Sequence, residues 1–205
     1  MSKVPTLYLA TGNLHKVEEI KRFFKKNAID WELNSANKIG GMPNVVEDAN
    51  TFSGNAFLKA NALWEQAEGR KAWVLADDSG IEVDALNGAP GILSARYAGN
   101  NCNDQENNQK LMRELKDVPI EKRTAQYVCA LVLIYSNSKK PVFFEQKCEG
   151  FLGTSPIGNN GFGYDPYFYP KDYNMTFGQI DADIKDQISH RAKALQDLFE
   201  WGGLR

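Results

Sequence analysis

Residues 6 to 10, TLYLA, are a short run of apolar, β-favouring residues, and TGN at 11 to 13 adds a glycine and two good helix-capping residues. From Leu14 to Lys26 the apolar side chains Val17, Ile20 and Phe24 recur at helical spacing, with lysine and glutamate on the other face. A strand that passes straight into an amphipathic helix must bury one side of each against the other. This opening unit therefore commits the chain to packed layers of helix and sheet.

The alternation returns along the chain. TFSGNAFLKANALWEQAEG (51–69) sets Ala56, Ala60, Leu63 and Ala67 on one helical stripe behind caps at Thr51 or Ser53, while Asn55 and Lys59 share another face. KAWVLA (71–76) reads as a second buried strand and GIEVDAL (80–86) as a third. NSANKIGGMPNVV (34–46) is loop with at most a short strand, and NGAPGILSARYAGNN (87–101) is an extended loop. Asn103 and Glu106 have capping-box spacing ahead of a helix over DQENNQKLMRELKD. TAQYVCALVLIYS (124–136) and PVFFEQKCEGFLG (141–153) suggest an antiparallel hairpin. One last helix is expected over 181–201, burying Ile184, Ile188, Leu195 and Phe199 and ended by Gly202 and Gly203. The fold class is α/β, a mixed central sheet with flanking helices, in a single domain over 1–205.

Charge narrows the ligand. With 24 basic against 26 acidic residues the net charge is -2, so no positive field exists to hold a nucleic-acid polymer, and a small ligand is favoured. Cys102, Cys129 and Cys148 are odd in number and lack CxxC spacing, which argues against disulfides and zinc. No apolar run nears the roughly 18 residues of a membrane helix, and the opening stretch is too short for a signal-peptide core. A reduced, cytoplasmic protein without membrane partners is expected.

LADDSG (75–80) closes an apolar strand with two adjacent carboxylates. Neighbours on a strand face opposite sides, but at its carboxyl end Asp77 and Asp78 can both enter the crevice where open α/β sheets bind ligands. Close carboxylates raise the pKa of one unless a cation neutralises them, and Mg²⁺ does so with oxygen ligands shared with a substrate phosphate. A turn into Ser79 and Gly80, capped by either aspartate, accounts for them equally well. TGNLHK (11–16) opens a helix whose terminal amides favour an anion, with Lys16 one turn in, although capping also explains Thr11 and Asn13. Lys59 reads as a solvated surface lysine. In GFGYD (161–165) the glycines let backbone approach a ligand, Phe162 offers a stacking face and Asp165 an acceptor, while core packing is an equal account of Phe162 and Tyr164. SHR (189–191) lies within the last helix. His190 reads there as a partly exposed position, and Arg191 as a donor fork suited to a carbonyl or phosphate oxygen.

TGNxxKxxE at 11–19, TFxxNAxxKA at 51–60, ADDSG at 76–80, GAPGxxSARY at 88–97, GFGYDPxF at 161–168 and ISHRxxAL at 188–195 occur in one order from end to end. Together they resemble the inosine-triphosphate pyrophosphatases, which hydrolyse non-standard purine nucleoside triphosphates. The resemblance implies two lobes around a mixed sheet with a substrate cleft, a homodimer, and Mg²⁺ as cofactor. It implies conversion of ITP, dITP or XTP with water to the monophosphate and pyrophosphate. By position, Thr11, Gly12, Asn13 and Lys16 would contact the triphosphate, aided by Lys185. Asp78 would be the base, and Glu47 with Asp78 would hold the metal, supported by Asp77. Ser79 would contact substrate, Phe162, Gly163, Tyr164 and Asp165 would form the base pocket, and His190 with Arg191 would read the 6-oxo group. The family's bacterial members often carry Gly two residues after the metal-ligand Glu, whereas VEDANTF has Ala49 there and places Asp48 beside Glu47 as a rival ligand. A related pyrophosphatase for modified pyrimidine nucleotides and a non-catalytic nucleotide-binding module are the competing readings. SHR argues for a purine, and the carboxylates Asp77, Asp78 and Glu47 argue for catalysis.

Overall fold

The computed structural model describes residues 6–67, 72–135 and 140–201. Strand β1 (Thr6–Ala10) leads into helix α1 (Leu14–Lys26), the unit expected from the opening residues. Asn13 is its N-cap: the side-chain Oδ1 accepts from the backbone N–H of His15 at 2.9 Å and of Lys16 at 3.2 Å. A short β2 (Glu32–Ser35) precedes α2 (Phe52–Gln66), where the Thr51 hydroxyl caps by accepting from Gly54 N–H at 3.0 Å. Strand β3 (Trp73–Val83) is followed by α3 (Asp104–Glu114), which opens with the Asn103–Glu106 capping box fully formed. Strands β4 (Thr124–Ile134), β5 (Pro141–Leu152) and β6 (Phe168–Pro170) lead to α4 (Ala182–Ile188) and α5 (His190–Glu200). Residues 136–139 between β4 and β5, and Gly202 and Gly203, lie outside the described residues.

The six strands form one mixed sheet in the order β2-β1-β3-β4-β5-β6, with β1 parallel to both neighbours and β6 antiparallel to β5. The chain divides into two compact units, one comprising 1–78, 130–145 and 194–205, the other 79–129 and 146–193. In the first, the α2 stripe of Ala56, Ala60, Leu63 and Ala67 packs with Ala10, Val74, Ala76, Val132 and Ile134. In the second, Ile81, Val83, Leu111, Tyr127, Leu152, Phe168 and Phe177 form the core. No helix among the described residues is long and apolar enough to cross a membrane.

Two expectations are corrected. LADDSG is no turn: β3 runs unbroken from Trp73 to Val83, so residues 73–76 and 80–83 belong to one strand, and Asp84–Leu86 turn off it as a short 3-10 helix. The segment Gly91–Arg96 supports this continuation, because the Ser94 hydroxyl accepts from Ile81 N–H at 2.9 Å and donates to the Gly91 carbonyl at 2.6 Å. A Cβ at position 80 would lie 2.3 Å from Ser94 Oγ and 2.5 Å from the Gly91 oxygen, so only glycine permits the approach. The last helix, by contrast, is broken. Ser189 adopts an extended conformation, and its hydroxyl accepts from Ala192 N–H at 3.2 Å, ending α4 and capping α5. In this arrangement Leu195 and Leu198 are fully buried, whereas Ile184, Ile188 and Phe199 are half-buried.

Gly80→Ala should lower stability by about 1–3 kcal/mol, the usual cost of an inserted methyl that has to displace backbone. Urea unfolding reads this directly, and an unchanged midpoint would contradict the close approach.

Candidate active site

In the first unit, alternation along β3 sorts the paired carboxylates. Val74, Ala76 and Asp78 share one face, and Val74 and Ala76 pack with α2, so Asp78 emerges toward that helix. There the Lys59 ammonium donates to Asp78 Oδ1 at 2.7 Å and to Glu47 Oε2 at 3.1 Å. Asp77 points to the opposite face, where Lys16 from the first turn of α1 ion-pairs with it. The register of β1 on β3, with Ala10 opposite Ala76, sets Thr11, the first residue beyond β1, level with Asp77 within β3. Two like charges adjacent in sequence are thus separated onto two faces, each with its own lysine.

Asp77, Asp78 and Lys59 are all buried, which corrects the reading of Lys59 as a solvated lysine. The cause is that the buried face of α2 is wider than its alanine stripe and takes in the adjoining Asn55 and Lys59. Asn55 also fixes the segment that carries Glu47: its Oδ1 accepts from Ala49 N–H at 3.0 Å. Gly54 leaves room for the Ala49 methyl, since a Cβ at position 54 would lie 2.6 Å from it. Glu47 therefore meets Asp78 on one ammonium, while Asp48 is exposed.

Burial pushes the Asp78 carboxyl above its ordinary value and Glu47 adds to this, with Lys59 and Lys16 offsetting only part. Burial alone would lower the Lys59 ammonium, but Asp78, Glu47 and Asp77 together outweigh it and raise it. Asp78 is held toward its protonated form by burial, and Lys59 toward its own by the three carboxylates around it, which outnumber the two ammoniums. That excess of hard oxygen donors, with Glu47 and Asp78 already converging on a cation, fits Mg²⁺. Among the described residues no group of three or more His, Cys, Asp or Glu side chains is placed to hold a metal ion. Mg²⁺ ordinarily completes a set of one or two carboxylates with water and phosphate oxygens.

Within the second unit, Asp165 is the centre. Its Oδ2 accepts from Phe162 N–H at 2.8 Å and from the Lys185 ammonium at 2.7 Å, and a Cβ at position 161 would lie 2.0 Å from that oxygen. Gly161 and Gly163 both have positive φ, which glycine alone adopts without strain. Gly163 is pinned to α3, donating its N–H to Asp104 Oδ2 at 2.7 Å and accepting from Asn108 Nδ2 at 2.8 Å. Phe162 is half-buried beneath two cations, Lys185 Nζ 5.0 Å and the Arg191 guanidinium carbon 5.9 Å from its ring centre. Tyr164 is a core residue whose hydroxyl donates to the Ser94 carbonyl at 2.8 Å.

His190 and Arg191, at the start of α5, are 4% and 1% exposed, against the expectation of a partly exposed His190. The Ser189 break turns them inward. Arg191 Nη2 donates to Ser79 Oγ at 2.8 Å, and Tyr127 stacks on the His190 ring. Sequence reasoning gave no role to Tyr127, Asn55, Asp104 or Asn108, and Tyr127 in an apolar run carries no signal beyond core packing.

Residues 7–201 match the family model described as the Ham1 family. A dITP/XTP pyrophosphatase of Opitutus terrae is 46% identical over 200 residues, covering 96% of this chain and 98% of the relative. A dITP/XTP pyrophosphatase of Clostridium perfringens is 45% identical, covering 93% of each chain. Among solved structures, a HAM1 protein from Coxiella burnetii superposes with a TM-score of 0.85 at 33% identity, covering 97% of this chain and 98% of that one.

Lys59→Met leaves Asp78 and Glu47 facing each other without their cation, which should cost about 3–5 kcal/mol of stability at pH 8. Asp78 already binds its proton more tightly than an ordinary carboxyl, so acid relieves the unpaired charge. The loss measured by urea unfolding should be smaller at pH 5 than at pH 8, and equal losses would contradict this electrostatic account.

Proposed function

The chain belongs to the Ham1 family, and from that premise we propose that it is a nucleoside-triphosphate pyrophosphatase converting dITP, XTP and ITP, with water, to monophosphate and pyrophosphate. The observation that carries this reading is the convergence of Glu47 and Asp78 on the buried Lys59 ammonium. An array of this kind suits the transfer of charge onto phosphate oxygens in a site shielded from bulk water. Glu47 and Asp78 would hold Mg²⁺, which when bound supplies positive charge against the phosphate oxygens and acidifies nearby water. Asp78 accepts the proton of the water that attacks the α-phosphorus, and its raised pKa brings it closer to the working range of a general base. Lys16, Lys59 and the amides at the start of α1 oppose the charge on the triphosphate, and Asp77 holds Lys16 in place.

Base discrimination belongs to the second unit. Phe162 supplies a stacking face, and Arg191, oriented by Ser79, donates to a 6-oxo group. A 6-amino group would set donor against donor, the kind of mismatch a buried polar site rejects strongly. The reading extends to a homodimer in the cytoplasm, which light scattering and fractionation would test.

Pyrophosphate release should be measured with ITP, dITP, XTP, ATP and dTTP in the presence of Mg²⁺. Preference for the three oxopurines is expected; preference for dTTP would favour the pyrimidine reading, and nucleotide binding without turnover the non-catalytic one. Asp78→Asn should cut kcat by about 10²–10⁴ while ITP still binds, and near wild-type turnover would overturn the role of Asp78. Arg191→Ala should lower the ITP:ATP ratio of kcat/KM by about tenfold or more, the worth of one hydrogen bond from a charged donor. An unchanged ratio would remove Arg191 from base recognition.

A further inference from the structure

Tyr127 on β4 touches both halves of the base-recognition set. Its ring stacks on the His190 imidazole with centroids 4.6 Å apart and planes 6° from parallel. Its hydroxyl hydrogen-bonds to Asp165, the carboxylate that also holds Phe162 N–H and the Lys185 ammonium. Burial first, and the Asp165 charge and hydrogen bond after it, hold the phenol well above its ordinary pKa, so it remains a donor. Phe168 and Phe177 close around the same ring at 4.8 and 6.1 Å, leaving it little room to turn.

A core aromatic would account for the contacts with Phe168 and Phe177. It would not account for a hydroxyl buried against a carboxylate, because phenylalanine fills the same volume without burying a polar group. Nor does apolar packing call for an imidazole as the stacking partner. We propose that Tyr127 is a positioning residue that sets base specificity, its ring fixing the plane of His190 and its hydroxyl fixing the Asp165 carboxylate that orders the Phe162 loop. This rests on the reading of His190, Arg191 and Phe162 as the residues that recognise an oxopurine.

The test compares wild type, Tyr127→Phe and Tyr127→Leu by kcat/KM for ITP and for ATP. Tyr127→Phe keeps the stack and loses the hydroxyl, and its ITP:ATP ratio should fall about tenfold while kcat at saturating ITP stays near wild type. Tyr127→Leu loses both and should fall further. The chain has two histidines, so the His190 imidazole protons can be assigned by comparison with a His15→Gln variant. Their ring-current shift should persist in Tyr127→Phe and vanish in Tyr127→Leu. A wild-type preference for ITP retained in both variants would overturn the role of Tyr127 while leaving the oxopurine reading intact. A wild type with no preference for ITP over ATP would overturn that reading, and the role of Tyr127 with it. Should Tyr127→Leu fail to fold, the isosteric Tyr127→Phe still decides the hydroxyl's part.

Discussion

The Lys59 ammonium, shared by Asp78 and Glu47, is the interaction on which the first unit's site depends. A buried Asp78 and a half-buried Glu47 with nothing between them would repel, and Asp78 above all would bear the cost of leaving water. Lys59 can lie there because α2 sets it beside an alanine stripe, where small side chains let the helix settle closely on the sheet. Asp77 escapes the conflict by the geometry of the strand, facing the other side and meeting Lys16. Even so, negative charge remains in excess. That excess holds the Lys59 ammonium and accompanies a raised Asp78 pKa, and the proposed Mg²⁺ would draw on it as well.

The second unit solves a different problem, presenting polar donors inside an apolar core. Asp165 does this by accepting from backbone, lysine and tyrosine together, so that its charge is compensated from three directions. Arg191 depends on Ser79 for part of its orientation, and the break at Ser189 is what turns His190 and Arg191 inward. The chain crosses from one unit to the other between Asp78 and Ser79, in the middle of a continuous strand.

Much of this was legible in local pattern. The bounds of α1, the stripe of α2 with its cap narrowed to Thr51 or Ser53, and the Asn103–Glu106 box were all readable, because caps and helical periods are properties of a few neighbouring residues. What failed depended on distant partners. Ser79 and Gly80 look like a turn until Ser94 and Gly91 are set against them, though a lone glycine inside a strand pattern does hint at such an approach. Ser189 sits within a helical period and breaks it only by capping its own successor. Lys59 is indistinguishable from a surface lysine until Glu47, twelve residues before it, and Asp78, nineteen after, are brought to its side chain. For the site, the six motifs in register single out candidate residues that no one stretch does.

Hydrolysis of ITP in ¹⁸O-labelled water shows directly which phosphorus the water attacks, and the proposed reaction requires the α-phosphorus. Mass spectrometry of the products should find the label in inosine monophosphate and none in pyrophosphate. Label in pyrophosphate would place the attack at the β-phosphorus, release of inorganic phosphate with the diphosphate at the γ-phosphorus, and either would overturn the proposed pyrophosphohydrolase reaction.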